Sequence, residues 1–447
     1  MKAALSFLAV TAALLVTAGC SQNQPAADGS QGIVITNARI ITGVSEDSAG
    51  IIPQGAVVLK EGKIVSVSSG VATPPAGALV IDAQGMTVMP GFIDAHRHIM
   101  QGDPVQWMAS LAKERMQEFL DAGFTTVLSC GDPLEQILDL RGKLKAGAIQ
   151  GPTLFAAGRV PLARPAPPPP GAVPGAPRVD PARIDNSRPP DRPTKPAVGI
   201  PPAETLDTVQ KLAKAGVDAF KTVIIVTPGG PEKATLTLIA SEARKLGIPS
   251  ITHAVTVIDT MAAVEAKTDV LVHTPHIGQL TNEQVKTIAD SKIPMMTTLG
   301  IFVPTFAEAN QRIRDRKIDD NQPRFRDLEP FPMNTISSGG QGPVNGRMIF
   351  DGGTTYGYGT DTTFLPKDSL AQELKPLHLM FSNKDIIKIM TRNAAALLGK
   401  MGSQIGTLQA GKAADLVLLA GNPLEDIHSV LNVKAVIKSG KLVVDKR

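Results

Sequence analysis

Two histidines one residue apart, His96 and His98, stand in "MPGFIDAHRHIMQGD", behind an apolar run that includes Met89, Phe92 and Ile93. In an extended chain residues i and i+2 share a face, so both imidazoles point the same way. Two neutral nitrogen donors on one face are the start of a metal site, although a polar strand end would read the same. Four further groups end apolar runs: Lys221 in "AFKTVIIV", His253 in "PSITHAV", His273 in "VLVHTP" and Asp361 in "TYGYGTD". Each of them alone has a structural explanation. Whether they meet depends on the elements that carry them.

Those runs belong to a regular alternation. Starting from "GFIDAH", the strand candidates continue as "FTTVLSC", "TLFAAGRV", the four runs just quoted and "PMMTTLGIFV", giving eight. Helical patterns lie between them, among them "VQWMASLAKERMQEFLDAG", "LDTVQKLAKAG", "ATLTLIASEARKLG" and "NEQVKTIADSK". Eight strands, most followed by a helix, predict a (β/α)8 barrel, an α/β fold whose chemistry sits at the C-terminal ends of the strands. The six groups fall at the ends of strands one, four, five, six and eight. The barrel would span residues 89–402. On either side, β-branched runs with Gly and Asp turns ("IVITNARIITG", "GAVVLKEGKIVSVSS", "GTLQAGKAADLVLLAG", "NVKAVIKSGKLVVDKR") predict a small composite β-sandwich domain from residues 33–88 and 403–447.

In this order "PGFIDAHRH", the Lys221 strand, "THAV", "LVHTP", "YGTDTT" and "GKAADLVLL" resemble the amidohydrolase superfamily, in its imidazolonepropionase-related and prolidase-like branch. The resemblance implies a centre of two divalent metal ions, usually Zn2+. His96 and His98 would bind one ion with Asp361, and His253 and His273 the other. Lys221 would bridge them as a carboxylated lysine, since an ammonium aimed at two cations would be repelled whereas a carbamate offers anionic oxygen; otherwise the site is mononuclear with Lys221 turned aside. The implied reaction is hydrolysis of an amide-type C–N bond in a dipeptide, an N-acyl amino acid or a cyclic amide. A metal-bridging hydroxide would attack, with Asp361 as general base and then general acid. Lactone or other ester hydrolysis on the same centre is the alternative. A Schiff-base lyase using Lys221 would leave four histidines and Asp361 without a role. A non-catalytic binding lipoprotein would not need the complete set. Prolidase-like relatives carry a Gly/His-containing segment after the third strand, where this chain has a proline-rich one.

That segment, residues 160–202, is too rich in proline for helix or strand interiors. It reads equally as an inert surface excursion and as a lid or specificity loop on the catalytic face. Arg159, Arg164, Arg178 and Arg183 would meet an anionic substrate in the second case and solvate the loop in the first. His276, three residues beyond His273, is within reach of a substrate but reads better as a loop residue. Arg97 alternates away from the histidine face toward an acid behind the barrel. Asp94 reads as a strand-end turn residue, Cys130 as a small buried thiol, and His378 and His428 as structural.

The first nineteen residues, "MKAALSFLAVTAALLVTAG", read as a signal peptide ending in a lipobox-like "VTAGC". Cys20 would be lipidated, with residues 20–32 as a polar tether. This predicts an exported protein anchored on the periplasmic side of the outer membrane, with a soluble periplasmic or secreted form as the alternative. The only other cysteine is Cys130, so an acylated Cys20 excludes an intrachain disulfide. A formal charge of +4 over 447 residues, without a basic stripe, argues against a nucleic-acid surface. The expected partner is a small-molecule substrate; the membrane is met only through the lipid, and the reading leaves room for a homo-oligomer.

Overall fold

The computed structural model describes residues 32–45, 50–164, 193, 195–302 and 340–447. Cys20, the signal segment, Arg178, Arg183 and most of the proline-rich stretch lie outside the described residues. Among the described residues no helix is long and apolar enough to cross a membrane.

The β domain comes from both ends of the chain. Strands β1 (Ile33–Ile41), β2 (Ile51–Lys60), β3 (Lys63–Ser69), β4 (Leu79–Asp82) and β5 (Thr87–Pro90) come from the N-terminal part. They join three from the C-terminal part in one sheet, in the order Lys441–Asp445, Val433–Lys438, Leu416–Leu419, β5, β1, β2, β3, with β4 beside β1. The two hairpins that share the "GK" turn fold alike. Glu61–Gly62 and Ser439–Gly440 both have positive φ at both positions (50° and 73°, 49° and 75°), as the two-residue turn matched to strand twist requires. Their tips abut: a β-carbon on Gly440 would lie 2.7 Å from Gly62 Cα. The sheet thus curls until its two arms enclose one core, where Ile33, Ile35, Ile40 and Leu59 meet Leu416, Leu418 and Ile437.

The other face of the sheet packs on the barrel. Leu416 and Leu418 point into the β-domain core while Val417 and Leu419 join the barrel core, the period-two alternation of a strand buried on both sides. Ile41, Met89, Val433, Val436 and Val444 from the neighbouring strands join the barrel core with them.

The barrel has eight parallel strands in sequential order: β6 (Phe92–Arg97), β7 (Phe124–Cys130), β8 (Thr153–Arg159), β9 (Ala219–Val223), β10 (Ser250–His253), β11 (Val270–Val272), β12 (Met295–Met296) and β13 (Tyr356–Gly357). Every residue of β6 and β7 is buried, as strands covered by helices on one face and by the barrel interior on the other must be. Closure is made past the end of β13: Ala95 N–H donates to Tyr358 O (3.1 Å), and Thr360 and Asp361 N–H both donate to His96 O (3.1 and 2.8 Å). The helices after β8, β9 and β11 run Pro202–Ala215, Glu232–Leu246 and Asn282–Ser291. The first two end on Gly216 and Gly247 in left-handed conformation, and the third starts with a Thr281/Gln284 capping box. The expected long helix after β6 is divided instead. Pro104–Ser110, capped by Asp103, and Ala112–Asp121 meet at Leu111, whose φ of −116° departs from helical geometry.

Phe92 anchors the start of the barrel. It is fully buried, edge-on to Phe124 at 5.8 Å, and Gly123 has no β-carbon to displace it (one would stand 2.7 Å from the ring). Phe92→Ala should cost about 3–5 kcal/mol, read as a lower urea midpoint of unfolding; an unchanged midpoint would contradict this packing.

Candidate metal centre

The barrel brings all six groups to one rim. His96 is the penultimate residue of β6 and His98 follows that strand; Lys221 lies in β9, His253 ends β10, His273 follows β11, and Asp361 lies beyond β13. His96 Nε2 is 3.3 Å and His98 Nε2 2.9 Å from Asp361 Oδ1, and His273 Nε2 is 3.8 Å from Asp361 Oδ2. Lys221 Nζ lies 3.2 Å from His96 Nε2. The rings of His253 and His273 are 4.3 Å apart, and those of His96 and His273 5.1 Å. His96, His98 and Asp361 each place one donor atom within 4.8 Å of the others, a grouping that can hold a metal ion.

Burial sets the charge states. It pushes the His253 imidazole down to about 3, aided by the Lys221 ammonium, and the same two effects hold His96 well below the ordinary histidine range. For His273, burial and then the His253 ring act in the same direction. Burial alone would raise the Asp361 carboxyl, but His96, His273 and His98 outweigh it and hold it well below the usual carboxylate range. Burial thus favours the lone-pair form of His96, His253 and His273 beside the Asp361 carboxylate. His253 Nε2 and His273 Nε2 are buried without a hydrogen-bond partner, and such atoms normally have one. Two orphaned nitrogens beside a third imidazole, a carboxylate and a lysine fit a divalent cation.

The strand ends are bent to make this convergence. His273, Thr298 and Asp361 follow β11, β12 and β13 with φ of 76°, 42° and 54°, a left-handed backbone that non-glycine residues adopt at a cost and that clusters at functional sites. Thr298 Oγ1 is 2.7 Å from His273 Nδ1. When that nitrogen carries the proton, Nε2 is left as the lone-pair donor.

Behind the histidines, Asp94 and Arg97 lock β6 to the segment that carries Asp361. Asp94 lies inside β6, buried, and is no turn residue: Oδ1 accepts from His96 N–H and Thr360 N–H (both 3.1 Å), and Oδ2 from Thr360 Oγ1 (2.7 Å). Its neighbours in sequence suggested a turn because the acceptor's partner lies 266 residues away. Burial raises its carboxyl to about 6 despite Arg97. Arg97 points behind the barrel as expected. Its Nη1 reaches the hydroxyls of Thr360, Thr362 and Ser369 (3.0, 2.8 and 2.6 Å), Nη2 donates to Phe364 O, and Asp94 Oδ2 is 3.9 Å away.

The remaining candidates divide. His276 lies in a loop, as expected, and is buried there, stacked on Phe302 (3.8 Å, 17°), and burial lowers its imidazole to about 4. Arg159 is exposed and in register with Lys221 on the adjacent strand, its Nε donating to Gly131 O at 3.1 Å. Arg164, near the proline-rich stretch, pairs with Glu204 at 2.8 Å. Cys130 is buried and its thiol is pushed up to about 12. The rings of His378 and His428 meet at 5.5 Å, between a barrel helix and the β domain. Asp132, which had no sequence signal, accepts from Ile99 and Met100 N–H and from Ser129 Oγ, holding the chain just past His98.

A (β/α)8 barrel with nitrogen and oxygen side-chain groups gathered at its C-terminal rim has them where barrel enzymes keep their chemistry. The model of the amidohydrolase family matches residues 87–443. The chain belongs to that family, whose members are hydrolases acting on C–N bonds. It is 24% identical to an imidazolonepropionase of Sphingopyxis alaskensis over 419 residues, 88% of this chain and 93% of that protein. Its fold matches a Xaa-Pro dipeptidase structure (TM-score 0.68, 23% identity, 92% of this chain and 99% of that one). It also matches molinate hydrolase (TM-score 0.68, 19% identity, 92% and 94%).

Removing the buried charge of Arg97 leaves Asp94 and three hydroxyls without their partner. Arg97→Met should therefore cost about 3–5 kcal/mol. Arg97→Lys, which keeps the charge without the planar fork, should cost less. Thermal melts of the two variants test this, and equal melting temperatures for wild type and Arg97→Met would refute it.

Proposed function

We propose that the chain hydrolyses an amide-type C–N bond of a small substrate: a dipeptide, an N-acyl amino acid or a cyclic amide. The observation that carries this is the convergence of His96, His98, Lys221, His253, His273 and Asp361 at one rim, with two buried histidine nitrogens unpartnered. The names of the relatives point to C–N chemistry as well, an imidazolonepropionase in sequence and a dipeptidase in fold.

In this reading His96, His98 and Asp361 would hold one divalent ion, most simply zinc, His253 and His273 would hold a second, and a carboxylated Lys221 would serve as a further ligand. When bound, such ions polarise a carbonyl and bring the pKa of water toward neutrality. Asp361, kept ionised by the imidazoles around it, accepts the proton of the attacking water on a carboxylate oxygen and returns it to the leaving nitrogen. Thr360 and Thr362, held from behind by Arg97, keep that carboxylate in place. A carbamate on Lys221 replaces a buried ammonium 3.2 Å from an imidazole by an anion, which removes a like-charge conflict once cations are bound. Export and lipid anchoring at Cys20 are proposed from the N-terminal sequence alone.

Metal analysis of the purified protein should give about two zinc ions per chain. Screening a library of dipeptides and N-acyl amino acids should give turnover, and Lys221→Ala should lose one metal and ~100-fold or more in kcat. Turnover confined to lactones would move the reading to ester hydrolysis. A Lys221→Ala enzyme with both metals and full activity would overturn the bridging role.

A further inference from the structure

One buried carboxylate takes no part in the centre described above. Glu373, in the helix Pro366–Met380, is 1% exposed. Its Oε1 accepts from Leu299 N–H (2.8 Å) and its Oε2 from Gly300 N–H (2.5 Å). The preceding Gln372, also buried, donates through Nε2 to Gly300 O at 2.9 Å. Helix and loop are in such close approach that a β-carbon on Gly300 would stand 2.8 Å from Glu373 Oε2 and 2.9 Å from Gln372 O. The segment held this way is the exit of β12. Next to it on one side is Thr298, whose hydroxyl meets His273 Nδ1 at 2.7 Å. On the other is Phe302, edge-on to His273 at 5.3 Å and stacked on His276 at 3.8 Å.

We propose that Glu373 is a positioning residue for the reaction: it fixes the segment Thr298–Phe302, and through it both the His273 imidazole and the His276–Phe302 wall. The inference rests on the reading of His273 as a metal ligand. The geometry explains why a carboxylate is spent in a fully buried place. Two N–H groups of successive residues in a strained turn need two acceptor oxygens at once, and an ionised carboxylate offers both. The ionisable groups that face Glu373 are Asp94 from β6 and the phenols of Tyr356 and Tyr358, none of them cationic. Burial pushes its carboxyl up to about 7, against the pull of the Thr297 hydroxyl and the two N–H groups. Protonation would turn one oxygen from acceptor to donor and release one N–H, so the hold is complete above that pH and weakens as the pH falls through it.

The test uses the full chain loaded with zinc. Glu373→Gln keeps the shape, but its amide nitrogen faces one of the two N–H groups. Gly300→Ala pushes the same segment without changing any charge. Both variants should fold, as judged by circular dichroism, yet bind zinc about tenfold more weakly in chelator competition. Both should also lose at least about tenfold in kcat/KM on whichever amide the wild type turns over. The wild-type kcat/KM should fall with pH through about 7, a limb that Glu373→Gln should lack. If Glu373→Gln does not fold, Gly300→Ala carries the same comparison. A folded variant of either kind with wild-type zinc affinity and kcat/KM would overturn the role of Glu373 and leave the metal centre standing. A wild-type protein that takes up no zinc and hydrolyses no amide would overturn the centre, and this inference with it.

Discussion

Asp361 is shared by three imidazoles, and much of the surrounding structure serves to put its carboxylate there. Left in water, a carboxylate and three histidines at these distances would gain little from one another. Inside the barrel mouth burial holds the His96 and His273 imidazoles well below the ordinary histidine range while the acid is held well below the carboxylate range, so a carboxylate stands beside ring nitrogens with available lone pairs. That arrangement is costly to bury without a compensating cation. The fold sustains it through rigid supports on every side: the His96 carbonyl takes two N–H groups from the Asp361 segment, Asp94 and Arg97 hold Thr360 and Thr362, and the left-handed turn at Asp361 aims the side chain inward.

The same principle explains why the barrel closes where it does. Strands β11, β12 and β13 are only two or three residues long, too short for a ladder to carry closure alone. Side chains complete it. Thr274 Oγ1 donates to Thr297 O, Thr297 Oγ1 to Gly359 O, and Asn393 Nδ2 to Tyr356 O. The irregular chain left over at the strand ends is what the site is made from. Regular ladder further up the rim would have pointed His273 and Asp361 alternately in and out, in the manner of any strand.

What could be read from the sequence follows from this division. The strand order, the two-terminus β domain and its twin turns were legible, because apolar period and Gly-containing turns are local signals. The six groups at the rim were legible because the barrel rule converts position along a strand into position in space. Glu373, Asp132 and Thr298 carried no such signal. Glu373 and Asp132 are mid-helix or loop acids by their surroundings, and each acts on backbone N–H groups more than thirty residues distant in the chain. His276 was read as a loop residue and is one, but nothing nearby in sequence announces its burial or the stacking of Phe302 upon it. Asp94 was misread for a related reason: its partner Thr360 arrives from the opposite end of the barrel.

Supports of this kind also explain how one barrel can serve many chemistries while keeping one kind of centre. Lys221 and His253 sit in the regular β9–β10 ladder, whereas His96 lies where the pairing of β6 with β7 shifts register and His98 just past it. His273 and Asp361 sit on turns fixed by side chains from helices and neighbouring strand ends, so small changes in those supports would shift these two groups relative to the others. The wall formed by His276 and Phe302 moves with His273, because Phe302 belongs to the same segment as Thr298. The His276–Phe302 stack and the His273 ring are therefore coupled. A mutation that reshapes the wall through residues 298–302 also moves the His273 ring, whereas Arg159 lies on the ladder side of the rim beside Lys221 and can change without doing so.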